Sequence, residues 1–125
     1  MKNIIYIASK INKRKFLKQI KNESFKSNLI FIEDTYKNKI LEKIHLADAL
    51  INCPRKYIDK ILFKKAKKLK WVHAGGAGIE EYLIPEFVNS NIVFTNGKIL
   101  QGTEVADHAV GLLLCITRNL HLHNK

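Results

Sequence analysis

Five short apolar runs, each separated from the next by a segment of helical periodicity, constrain this chain more than any other feature. They occupy residues 3–8, 29–32, 47–51, 71–74 and 92–95. The first, from Asn3 to Ala8, is continuous, as expected of a strand buried on both faces of a parallel sheet. Between the runs, apolar residues recur at helical intervals. Phe16, Leu17 and Ile20 form one face, Ile40, Leu41 and Ile44 the next, and Ile58, Ile61, Leu62, Ala66 and Leu69 a third. Ser9 or Asn12 can cap the first helix. Pro54 fits the first turn of the third, where its missing N–H costs nothing. A looser helical segment around Pro85 is expected to turn Tyr82, Leu83, Phe87 and Val88 inward.

Strand and helix thus alternate with short connections and no hairpin signal. That pattern predicts an α/β architecture, a flavodoxin-like doubly wound five-stranded parallel sheet covered on both faces. The sheet domain spans residues 1–99, and a long apolar helix fills 100–125. Ligands of such sheets bind beyond the carboxyl ends of the strands, here Asn52-Cys53, Gly75–Gly78 and Asn96-Gly97.

A chain of 125 residues is one ordinary domain with room for a core. No apolar run approaches the ~18 residues of a membrane span, and the basic-then-apolar start is too short for a secretory leader. Cys53 and Cys115 match no paired motif, which suits buried thiols in a reduced, cytoplasmic protein. The net charge of +11 raises the question of an anionic partner. The lysines fall between apolar residues at helical spacing, as on solvated helix faces. No zinc spacing or aromatic pattern supports nucleic-acid binding.

Three glycines in four residues mark the bend Gly75-Gly76-Ala77-Gly78. They allow positive φ and close approach of a ligand, and successive N–H groups there can form an anion nest. A tight turn with no ligand fits them equally well. The spacing is not that of a dinucleotide fingerprint. A receiver domain needs acids where this chain has Ala8-Ser9 and Asn52-Cys53, and a flavin phosphate loop needs more than Ser9-Lys10-Ile11-Asn12-Lys13. Among the five histidines no metal set emerges. His121 and His123 diverge on a helix, His73 lies in a strand, and His108 stands one turn after Glu104, where a simple pair is expected.

The stretch from Leu69 to Leu120 resembles the D-isomer-specific 2-hydroxyacid dehydrogenases. Gly78-Ile79-Glu80, Thr95-Asn96, Val105-Ala106-Asp107-His108-Ala109 and Arg118-Asn119 match that family's substrate-domain pattern in order. The resemblance implies an oxidoreductase moving a hydride between NAD or NADP and a small 2-oxo or 2-hydroxy acid. It places Gly76, Ala77 and Gly78 on the substrate carboxylate. It also places Val105 near the nicotinamide, with Glu104 and Thr103 beside it, although Val105 fits plain core packing as well. His108 matches a non-catalytic histidine of the linking helix.

No catalytic residue is expected in this chain. The family's dinucleotide loop, arginine, acid and general base follow later, and Arg14, Arg55 and Arg118 stand far from the glycine bend in sequence. The chain therefore reads as a substrate domain plus its crossing helix, whether a truncated gene product, one piece of a split gene or an excised piece. Its cofactor would come through a missing or separately encoded NAD-binding domain. The alternative is a free-standing flavodoxin-like binding module whose basic surface takes an anionic partner. The helix at 103–120 has almost no polar face, so self-association through it is expected.

Overall fold

The computed structural model describes residues 1–20 and 26–122; the side chains of residues 10–12, 19 and 20 are not described. The expected Asn12 cap, the place of Ile20 on its helix and the setting of His123 therefore lie outside the described residues. Strands β1 (Lys2–Ile7), β2 (Ser27–Ile32), β3 (Ala49–Ile51), β4 (Trp71–Ala74) and β5 (Val93–Asn96) form one sheet in the order β2-β1-β3-β4-β5. Every pairing is parallel. Helices α1 (Lys10–Ile20), α2 (Lys37–Lys43), α3 (Lys60–Lys65) and α4 (Pro85–Val88) connect the strands, and α5 (Gly102–Thr117) follows the last. Strand limits differ from the apolar runs by one or two residues, except in β4, where they coincide.

The register separates the side chains into two faces. Ile5, Leu50 and Val72 share a row on one face and are fully buried. Ile40 and Ile44 from the α2 segment, Leu62 of α3 and Phe87 of α4 join them in one cluster. Phe87 stacks on Phe63 and meets Phe94 edge-on, which ties α3 and α4 to β5. The opposite face is covered differently. Phe16 of α1 stacks on Tyr6 at 4.4 Å and meets Phe31 edge-on, so α1 covers β1 and β2. Over β4 and β5 that face is open: Trp71 is 36% and Val93 60% exposed. The expectation that β1 is buried on both faces is accordingly corrected, since Ile5 and Ile7 are buried while Ile4 and Tyr6 are only half-buried.

The single helix expected from Pro54 through Leu69 is broken. A 3-10 turn, Arg55–Tyr57, follows Pro54, and α3 then starts afresh with Asp59 as its cap. Ala66 and Leu69 are buried from beyond the end of α3, while Ile61, inside it, is 56% exposed. Periodic spacing was satisfied by burial from turn and loop as well as from helix. Near Pro85, Tyr82 and Phe87 are buried as expected, but Leu83 and Val88 face outward. The 3-10 turn Glu80–Tyr82 and the four-residue α4 do not share one continuous helical face. Leu17 is likewise exposed, against expectation.

Asp59 links local capping to pH. Its Oδ1 accepts from Leu62 N–H at 2.8 Å, and its Oδ2 accepts from Lys37 Nζ at 2.6 Å. The hydrogen bond from Lys37 is the main cause holding its carboxyl below the usual carboxylate range. Asp59→Ala should cost about 1 kcal/mol at neutral pH, the usual loss for an N-cap. Because the folded pKa is depressed, the contribution is complete above about pH 4 and fades as pH falls through the folded value. Urea melts of both proteins at pH 7 and pH 3 should show the gap narrowing in acid. An equal gap at both would show the charge to be irrelevant.

Candidate functional site

The carboxyl ends of β3, β4 and β5 converge on the glycine bend, which the neighbouring ends hold from both sides. From β5, Asn96 Nδ2 donates to Ala77 O at 2.7 Å, and Gly97 N–H donates to Ala74 O and Gly76 O at 3.0 and 3.1 Å. From β3, Asn52 packs against Gly75. Asn52 itself takes a left-handed φ of 57°, a conformation asparagine tolerates better than most residues. Its Nδ2 donates to Tyr6 Oη at 3.2 Å, and its Oδ1 is buried without a hydrogen bond among the described residues.

No glycine in the chain has positive φ, which corrects the expected reason for the glycines. The reason is close approach. A Cβ on Gly75 would lie 2.5 Å from Asn52 Oδ1, and one on Gly97 only 2.4 Å from the Gly75 carbonyl oxygen. A Cβ on Gly78 would lie 2.9 Å from Arg55 Nη2 and 3.1 Å from Glu80 Oε2. At Gly97 the Gly75 backbone occupies the space a side chain would take; at Gly75 and Gly78 the side chains of Asn52, Arg55 and Glu80 do.

Arg55 stands against sequence expectation. It follows β3, the neighbour of β4 in the sheet, and its guanidinium lies over Gly76 and Gly78. Its Nη1 meets Glu81 Oε1 at 3.7 Å, a half-exposed pair. Strand order, not sequence distance, places it there. The same reasoning finds Asn52 and Asn96, both readable in sequence as strand-end residues but not as partners of the bend.

Among the described residues, no acceptor meets the N–H of Gly76, Ala77 or Gly78. The next amide, Ile79 N–H, donates to Glu80 Oε2 at 3.0 Å, so one carboxylate already sits at the rim. Nearby proton donors are poor ones. Burial pushes the Cys53 thiol up to about 12, and burial also raises the Tyr82 phenol, which donates to Cys53 O. Three amides without a partner among the described residues thus lie near the Arg55 guanidinium, with the Glu80 carboxylate at their rim.

Thr103, Glu104 and Val105 lie on the first turns of α5. They are exposed, and no hydrogen bond or ion pair among the described residues joins their side chains to the bend. Glu104 and His108 form no ion pair; with Gln101 and Val105 they line a shallow groove of about 420 Å³. The structure thus gathers Gly76, Ala77 and Gly78 with Arg55, Asn52 and Asn96 at one sheet edge, and leaves Thr103, Glu104 and Val105 apart from them. No His/Cys/Asp/Glu group able to hold a metal occurs among the described residues, and no described helix is long and apolar enough to cross a membrane.

A parallel α/β domain with an amide cradle at its carboxyl edge is the class that fold and site define. Residues 5–119 match the family model of the D-isomer specific 2-hydroxyacid dehydrogenase catalytic domain, and the chain belongs to that family. It is similar to D-3-phosphoglycerate dehydrogenase of Methanocaldococcus jannaschii, with 29% identity over 67% of this chain. It is also similar to glyoxylate reductase of Pyrococcus furiosus, with 31% identity over 67% of this chain. The matches cover 16% and 25% of those proteins' lengths. A D-isomer specific 2-hydroxyacid dehydrogenase family protein from Aeromonas salmonicida shares the fold, with a TM-score of 0.74 and 20% identity over 98% of this chain and 37% of its own. An NAD+-bound 3-phosphoglycerate dehydrogenase from Entamoeba histolytica shares it with a TM-score of 0.66, at 24% identity over 91% of this chain and 38% of its own.

Proposed function

We propose that this chain is the substrate-carboxylate part of an NAD- or NADP-dependent D-2-hydroxyacid dehydrogenase, acting on a small 2-oxo or 2-hydroxy acid in the cytoplasm. The observation that carries this reading is the set of unpartnered amides at Gly76, Ala77 and Gly78 beneath Arg55. The amides orient the carboxylate, and the guanidinium adds the positive charge that such an anion favours. Val105, with Thr103 and Glu104, offers one wall against a nicotinamide ring. The bound cofactor supplies the hydride, from a domain joined to or paired with this one.

Adding glyoxylate, pyruvate or hydroxypyruvate should move the backbone amide resonances of Gly76 to Gly78. Arg55→Ala should weaken binding about tenfold or more, the usual effect of losing a charge-assisted hydrogen bond. Gly78→Val should abolish binding, because its side chain would enter the space held by Arg55 and Glu80. Shifts elsewhere with an unmoved bend would sink the proposal. The alternative, a binding module for an anionic partner, draws on a cavity of about 410 Å³ whose lining includes Lys13, Lys39 and Lys43. Shifts confined to those residues would favour it.

A further inference from the structure

The Asn52 carboxamide presses on the glycine bend, and a residue outside the bend holds it there. Asn52 lies at the end of β3, between β1 and β4 in the sheet. Its backbone N–H donates to His73 O of β4 at 2.9 Å, while its side chain reaches both neighbours. On one side Nδ2 donates to Tyr6 Oη of β1 at 3.2 Å. On the other, Oδ1 lies so close over Gly75 that a Cβ there would come within 2.5 Å of it. We propose that Tyr6 is a positioning residue of the carboxylate cradle. Its hydroxyl fixes the Asn52 carboxamide against Gly75, and through it the amides of Gly76 to Gly78. This role presupposes the proposed function of the bend and adds to it a residue of β1 that touches no ligand.

Tyr6 is the one hydrogen-bond partner of the Asn52 side chain among the described residues. The terminal torsion of a carboxamide is broad, with no sharp well to hold the group by itself. Without the hydroxyl the amide is free to turn and Oδ1 leaves Gly75. The left-handed φ of 57° favours asparagine here, but glycine would meet it without burying an orphaned acceptor. What glycine lacks is the contact with the bend.

The hydroxyl is in turn a fixed point. The Tyr6 ring stacks on Phe16 of α1 at 4.4 Å and leans on Phe31 of β2 at 5.3 Å. Packed on both sides, the ring leaves its oxygen one place to be. The cradle at the ends of β3, β4 and β5 is thus anchored across the sheet to the aromatic cluster over β1 and β2. Small displacements matter there, because an amide donor weakens steeply as its angle to the acceptor closes.

Tyr6→Phe keeps the ring and removes only the hydroxyl. In the ligand-free chain it should move the amide resonances of Gly75 to Gly78. It should also weaken glyoxylate binding about three- to tenfold, the range of one net hydrogen bond. Asn52→Gly, which tolerates the left-handed backbone, should weaken it at least as much. Adding Tyr6→Phe to Asn52→Gly should then move neither the affinity, beyond about twofold, nor the bend resonances, because the hydroxyl has lost the group it acts through. Ile7→Val loosens buried β1 without touching the hydroxyl. It should lower the melting temperature and leave glyoxylate affinity unchanged. Circular dichroism checks folding; if Tyr6→Phe unfolds, wild-type affinity in Asn52→Gly overturns the proposal. So does Tyr6→Phe binding like wild type, an equal loss with and without the Asn52 side chain, or a matching loss in Ile7→Val. Those results leave the function of the bend standing. Glyoxylate that moves no bend resonance of the wild-type chain overturns that function and the role of Tyr6 with it.

Discussion

Gly97→Ala should destabilise the chain by about 1–3 kcal/mol, the usual cost of overpacking, and should also disturb the carboxylate cradle. The added methyl would meet the Gly75 carbonyl oxygen at 2.4 Å and its carbon at 3.1 Å, both backbone atoms of the bend. No flexible side chain can yield there. The bend must move, and with it the hydrogen bond from Gly97 N–H to Gly76 O. The control is Gly111→Ala, where nothing lies within 4 Å. Alanine in a helix should there be neutral or stabilising by up to about 1 kcal/mol. Thermal melts of the two variants should shift in opposite directions or leave the Gly111 variant unmoved. A Gly97 variant with unchanged melting and unchanged bend resonances would show that the clasp does not hold the bend.

The 125-residue chain alone should oxidise no NADH with any 2-oxo acid above background. Holding the reactants in place contributes on the order of 7–11 kcal/mol in such reactions, and the sequence carries no dinucleotide loop to hold the cofactor. Arg55 supplies a positive charge at the bend, but the buried Cys53 and Tyr82 groups beside it are poor proton donors. The measurement is nicotinamide absorbance with the chain alone and with a separately produced cofactor domain of the family. Activity in the mixture only would support a two-part enzyme. Turnover by the chain alone would contradict the assignment of catalysis to other residues.

The strands were legible because each is a compact apolar run, and the bend because glycines cluster there. What was not legible depends on adjacency between separate segments. Arg55 looked remote from Gly78 because the intervening chain includes all of α3 and β4. The sheet places the β3 and β4 loops side by side, which only strand order reveals. The glycines suggested positive φ, the commoner reason for them, while the real reason is the Asn52 side chain and the Gly75 carbonyl pressing into their space. Ala66 and Leu69 fitted a helical period by coincidence of burial. The open face of β4 and β5 was hidden because Trp71-Val72-His73-Ala74 reads as a mainly apolar strand, and a sequence does not say what covers each face.

The clasp around the bend also sets how binding divides between enthalpy and order. Asn52, Asn96 and Gly97 fix the cradle before any ligand arrives. Under the proposed function, a carboxylate would meet amides already held in place, with little conformational entropy lost on binding. Among the described residues, nothing buries α5 in the same way. Under the same proposed function, recognition of the acid would originate in sheet register and alignment of the cofactor in whatever encloses α5.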